Sequence, residues 1–123
     1  MSERTAARRA GGARPRPAAP AGRRSRGGAA PLDTAAFIRV ARALAEATRF
    51  EILELIAERP EISCGEIVER FPLSQPAISH HLKLLADAGV VTVRRAGTHG
   101  HYRLAEGMLE GFVAELRRRL GTA

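Results

Sequence analysis

The sequence is short of the groups that build covalent or metal frameworks. It has one cysteine, Cys64, in 123 residues, and one thiol closes no internal disulfide and cannot complete a structural zinc site. No apolar run approaches the roughly 18 to 20 residues of a membrane helix, and the arginines near the N-terminus precede no apolar segment of the signal-peptide kind. The expectation is a cytoplasmic protein with no membrane partner. Also missing are a glycine-rich phosphate loop, a nucleophile with a paired base and a carboxylate pair in a plausible cleft, so neither an enzyme nor a cofactor is expected.

Acidic side chains are nearly absent from residues 1–31, where eight arginines stand against Glu3 alone. That segment carries the whole net charge of +7, because the 12 basic and 12 acidic side chains of residues 32–123 cancel. The basicity is therefore a property of the tail, and any case for nucleic-acid binding by the domain must rest on local placement. Beyond Met1 the tail has no large apolar side chain and consists almost entirely of Ala, Arg, Gly and Pro. It reads as a disordered tail, either a basic arm that attracts phosphates or a solvated extension without consequence. A transit peptide fits the arginines but lacks an amphipathic face. Residues 32–123 read as one domain with a modest core.

The most informative stretch runs from Leu73 to Val91. Ser74 is a helix cap, and Pro76 in the first turn lacks the N–H that would go unpaired there. Ile78, Leu82 and Leu85 recur at i, i+4 and i+7, which puts them on one buried stripe, and Gly89 ends the helix. The opposite face carries Gln75, Pro76, Ser79, His80, Lys83 and Asp87. It is polar and short-chained near the N-terminus, where a recognition helix meets base edges, and has a lysine one turn on, where a phosphate would lie.

Earlier helices are expected after Asp33, with Phe37, Val40, Ala41 and Leu44 on one side; over Thr48 to Glu58, with Phe50, Ile52, Leu53, Leu55 and Ile56 as a broad apolar face; and over Ser63 to Arg70, where Ser63 and Glu66 have capping-box spacing. The short link Pro72-Leu73-Ser74 makes the last of these and the Ser74 helix a helix-turn-helix. Beyond Gly89 the period changes to 2: Val91 and Val93 alternate with polar residues, Ala96-Gly97-Thr98 supplies a turn, and Tyr102 and Leu104 lie on a returning strand. This two-stranded hairpin carries Arg94, Arg95 and His99 near its tip and reads as a wing that contacts DNA, against the plainer reading of arginines that keep an edge strand soluble. A final helix over Ala105 to Leu120 lines up Met108, Leu109, Phe112, Val113 and Leu116. With Phe37, Val40 and Leu44 of the first helix these residues form the expected dimer interface, since so small a domain cannot cover both stripes; the alternative is a monomer with the last helix packed back. The expected fold is thus mainly α with a small β-hairpin: about five helices plus a two-stranded wing.

The run from Ala43 to Leu104, most sharply Ser74-Gln75-Pro76-Ala77-Ile78-Ser79-His80-His81-Leu82-Lys83, resembles the winged helix-turn-helix regulators of the ArsR/SmtB type. Leu44 to Arg49 is similar to a second familiar stretch of that family, with Ala47 where proline is frequent. The resemblance implies a homodimeric DNA-binding regulator, usually a repressor on a palindromic operator that an effector releases. Metal-sensing relatives carry Cys-x-Cys at positions that fall here on Ser63 and Gly65, with Cys64 between them. Relatives that bind zinc in the last helix use Asp and His, where this chain offers only Glu106, Glu110 and Glu115. No metal is therefore expected, and an effector, if there is one, is a small molecule or a protein. His81 stands where the family commonly has histidine and is expected to be a packed structural residue, whereas His80 is expected to be exposed and to read DNA or its backbone. His99 and His101 share a strand face but lack a third ligand nearby. Cys64 is expected to be a partly buried small apolar residue, since redox sensing would need the other subunit's thiol.

The leading reading is a dimeric repressor of double-stranded DNA. In it Gln75, Ser79 and His80 touch base edges while Ser74, Lys83, Arg94 and Arg95 anchor phosphates. The alternative is a general nucleic-acid or protein-partner binding module whose affinity comes mainly from the basic tail.

Overall fold

A computed structural model describes residues 31–122, so the expectations for the arginine-rich tail lie outside the described residues, Pro31 apart. Helix α1 spans Thr34–Leu44, and Asp33 caps it by accepting from the Ala36 N–H at 2.8 Å. Helix α2 spans Ala47–Ala57, capped by Glu46, whose carboxylate accepts from the Arg49 N–H at 2.7 Å. Strand β1, Ile62–Ser63, leads directly into α3, Cys64–Arg70. The capping box there is complete: Ser63 Oγ accepts from the Glu66 N–H at 3.1 Å, and the Glu66 carboxylate accepts from the Ser63 N–H at 3.0 Å. Helix α4 spans Gln75–Asp87, and Ser74 Oγ accepts from the Ala77 N–H at 3.2 Å. Strands β2, Val91–Ala96, and β3, His99–Leu104, form the hairpin, and α5 spans Glu106–Leu120.

The sheet has three antiparallel strands in the order β1-β3-β2. The wing is the expected two-stranded hairpin of β2 and β3, and β1 adds a third strand to its sheet: Ile62 pairs with Tyr102 and Ser63 with His101, so the residues before α3 extend it. Two residues are too few to show an alternating pattern, and only the partner strand defines them.

The core is aliphatic. Val40, Ile52, Ile56, Ile62, Ile67, Ile78, Leu82, Leu85 and Val90 are each under 2% exposed, and full burial of such a side chain contributes roughly 1.5–3 kcal/mol. Val40 lies in the protomer's own core, which corrects its assignment to a dimer interface. Phe50, expected on the buried face of α2, is 43% exposed, because the buried side is carried by Ile52, Leu53, Leu55 and Ile56.

Helices α1 and α5 meet within the protomer. Phe37 stacks on Phe112 with ring centroids 4.9 Å apart, and the Arg119 guanidinium lies 4.8 Å from the Phe37 ring and donates to Thr34 Oγ1 at 3.1 Å. Glu115 is buried under Arg118 and Arg119, and its carboxyl is held below the usual range, first by the hydrogen bond from Arg118. Ile38, Val113, Leu116 and Leu120 remain exposed, the last at 69%.

Gly89 turns the chain from α4 into β2 with φ +85°, and a Cβ there would lie 2.9 Å from Met108 Cε. A left-handed conformation costs an L-residue roughly 1–2 kcal/mol, before the clash is relieved. Gly89→Ala is therefore expected to lower unfolding free energy by about 1–3 kcal/mol, read as a reduced urea midpoint at unchanged slope; an unaltered midpoint would mean that the turn tolerates a side chain.

Candidate nucleic-acid interface

The face of α4 divides as its 100° step dictates. Ile78, Leu82 and Leu85 are buried against the core, while Gln75, Pro76, Ser79, His80, Lys83 and Asp87 are all exposed. Gln75, Ser79 and Lys83, four apart, form one ridge, and this ridge faces the wing. An open groove of about 780 Å³ lies between them, lined by these three residues with Arg95, His99 and Tyr102 and by the acids Glu69 and Asp87. Lys83 pairs with Asp87 at 3.2 Å, but both side chains are more than half exposed, and such a pair contributes little that a phosphate could not replace.

The wing follows strand alternation. The register pairs Arg94 with His101 on one face and Arg95 with Gly100 on the other. Gly100 is buried, and a Cβ there would lie 3.2 Å from the Tyr102 phenol oxygen and 3.3 Å from Arg95 Nη1. A residue with no side chain thus lets Arg95 and Tyr102 lie across β3. Glycine inside a strand is the sequence signal for such close approach. Arg94, expected as a phosphate anchor, lies on the face of the sheet opposite the groove, where Nε and Nη2 donate to the two Glu61 carboxylate oxygens at 3.0 and 2.8 Å. The expected contacts Gln75, Ser79, Lys83, Arg95 and His99 thus share one groove; Ser74, Pro76 and His80 do not line it, although all three are exposed on the same helix end.

Arg49 sets the position of α4. Its Nε donates to the Ala43 carbonyl at 2.9 Å and its Nη2 to the Arg42 carbonyl at 3.4 Å, while Nη1 reaches His81 Nδ1 at 3.2 Å. One guanidinium thereby ties the end of α1, the start of α2 and the middle of α4. A guanidinium only donates, so Nδ1 must accept and the ring is neutral. Burial, with Arg49 and His80 adding to it, pushes the His81 pKa below its ordinary 6.5, while Glu46, 3.9 Å away, pulls the other way.

The residues that would serve the thiolate site of metal-sensing relatives do not fit one. Ser63 Oγ is engaged in the cap of α3, Gly65 has no side chain, and Cys64 is the only thiol. Among the described residues no three His, Cys, Asp or Glu side chains are grouped to hold a metal ion.

Because the folded-state pKa of His81 is depressed, stability is intact above the unfolded value near 6.5. On acidification the unfolded chain takes up the proton first, so stability declines from about pH 6.5 downward until the folded value is passed. The carboxylates Glu46, Glu61, Glu66 and Glu115, held below 4.5, lose their contributions only at lower pH. The thermal midpoint should therefore fall between pH 7.5 and 5.5, and His81→Asn, which keeps an acceptor for Arg49 but does not titrate, should flatten that fall. An equal slope in the variant would remove His81 as its source.

A helix-turn-helix domain family matches residues 44–94. The arsenical resistance operon repressor of Staphylococcus aureus is 35% identical over 82 residues, covering 63% of this chain and 73% of that protein. Among solved structures, an ArsR-like transcriptional regulator from Rhodococcus sp. RHA1 is 31% identical with a TM-score of 0.62, covering 71% of this chain and 80% of that one. The homodimeric winged helix-turn-helix DNA-binding domain Mb0332 from Mycobacterium bovis, a possible ArsR-family regulator, is 31% identical with a TM-score of 0.57, covering 70% of this chain and 78% of that one. With a buried stripe that turns the polar face of α4 outward and a wing beside it, this chain belongs to the ArsR family of winged helix-turn-helix, DNA-binding transcriptional regulators.

Proposed function

We propose that the protein is a homodimeric repressor, acting in the cytoplasm, that occupies a palindromic operator and answers to an effector other than a thiolate-bound metal. The observation that carries this reading is the groove shared by Gln75, Ser79, Lys83, Arg95 and His99. In it the first turns of α4 enter the major groove. Gln75, Ser79 and His80 meet base edges with Pro76 beside them, Ser74 and Lys83 meet phosphates, and Arg95 and His99 reach the backbone from the wing. Ser74 Oγ already accepts the capping bond, and its hydrogen remains available to a phosphate oxygen.

Two copies are needed to read a two-fold site. The apolar side chains that a single copy leaves exposed on α1 and α5 support self-association: Ile38, Val113, Leu116 and Leu120. The expected partners Phe37, Leu44, Met108, Leu109 and Phe112 are already half-buried in the protomer and would form the floor of that interface. The homodimeric state of the Mycobacterium bovis relative points the same way.

Footprinting on the protein's own promoter tests the reading. A protected two-fold site with half-sites roughly 34–36 Å apart is expected, and binding less than about tenfold better than to random DNA would end it. Gln75→Ala or His80→Ala should weaken operator binding by about 5- to 150-fold, the equivalent of one good base contact. Unchanged affinity would take that residue off the reading face. Leu116→Glu together with Val113→Glu should leave a folded monomer by sedimentation, with operator affinity lost; a persistent dimer would place the interface elsewhere.

A further inference from the structure

Arg94 and Arg95 are adjacent in the chain and point to opposite faces of the sheet. Arg95 lines the groove with α4 and forms no ion pair among the described residues. Arg94 lies on the far face and is held by both carboxylate oxygens of Glu61. Glu61 precedes β1, and β3 lies between β1 and β2, so this pair spans the full width of the sheet. Strand β1 supports β3 only at Tyr102 and His101; from Gly100 to the turn, β2 and β3 have only each other. The two-pronged bond therefore ties the hairpin to the body of the domain at the point where backbone support ends.

We propose that Arg94 and Glu61 are a positioning pair: they fix the angle of the wing against α4, and Arg94 does not itself contact DNA. Two charge-assisted bonds in fork geometry hold the guanidinium where a phosphate on the α4 side cannot reach it. Arg103 lies close enough to add to the field on the Glu61 carboxylate, so the acid serves two arginines on that face. The DNA part of this proposal rests on the groove being the DNA interface; the mechanical part does not.

Amide hydrogen exchange on the free protein separates the two. Glu61→Gln and Arg94→Gln should each speed exchange at residues 95–100 by up to about fivefold, the range of an exposed ion pair, with the helices unchanged. The double variant should be no faster than either single one, since both remove the same bond. Arg94→Lys should behave like Arg94→Gln, because an ammonium cannot make the forked contact. In salt titrations of operator binding, Arg95→Gln should lower the slope of log K against log salt by about 0.9, while Arg94→Gln leaves the slope within about 0.3 of wild type. Unaltered wing exchange in both Glu61→Gln and Arg94→Gln overturns the brace. A slope loss in Arg94→Gln equal to that of Arg95→Gln, rescued by Arg94→Lys, overturns it in favour of a phosphate contact. Faster wing exchange in a protein that binds no operator counts against the DNA reading and supports the brace.

Discussion

The polar face of α4 is presented to solvent because the opposite face is buried to completion. Ile78, Leu82 and Leu85 are at most 1% exposed, and a helix sealed along such a stripe cannot rotate without exposing it. Rotation by one residue would turn Gln75, Ser79 and Lys83 by 100° and remove them from the wing. Burial fixes the rotation but only weakly resists sliding along the stripe. Arg49 supplies the axial restraint, because its bonds to the Ala43 and Arg42 carbonyls and to His81 are directional. The helix end that α4 is tied to is that of α1, which carries the exposed Ile38. The face proposed to read DNA and the surface proposed to join two copies are thus one bond network apart.

The wing obeys a different constraint. A strand alternates strictly, so two neighbouring arginines cannot both face the helix. Register decides which one does: Arg95 opposite Gly100 lies on the groove side, and Arg94 opposite His101 lies on the other. A slip of β2 by one residue against β3 would exchange them and would also turn Val91, which is 3% exposed, out of the core. Val91 and Gly100 therefore hold the register that puts Arg95 on the groove side.

What was legible in the sequence is what local chemistry determines. The caps at Asp33, Ser63 and Ser74 and the stripe of α4 involve residues within one or two turns of each other, and each is where its spacing placed it. What was not legible depends on partners far along the chain. Arg49 and His81 are 32 residues apart and Glu61 and Arg94 are 33 apart, so neither pair leaves a periodic trace. Strand β1 exists only because β3 pairs with it. Val40 and Phe50 exchanged roles for the same reason: an apolar stripe shows that a face is buried, whereas the depth of each residue is set by the helices packed against it. Val40 is fully enclosed while Phe50 reaches solvent.

The neutrality of residues 32–123 changes how affinity has to arise. A domain without net charge draws DNA toward it only where opposite charges are kept apart. Three of the twelve acids are paired outside the groove: Glu66 with Arg59, Glu61 with Arg94, and Glu115 with Arg118 and Arg119. Each such pair cancels locally and leaves no field of its own at α4. In the groove Lys83 and Arg95 stand beside the acids Glu69 and Asp87; Lys83 is joined to Asp87 only in solvent, and Arg95 forms no ion pair among the described residues. Affinity for phosphates on this face therefore depends on where Lys83 and Arg95 are placed and on how weakly Lys83 is held by Asp87, and not on an excess of basic residues.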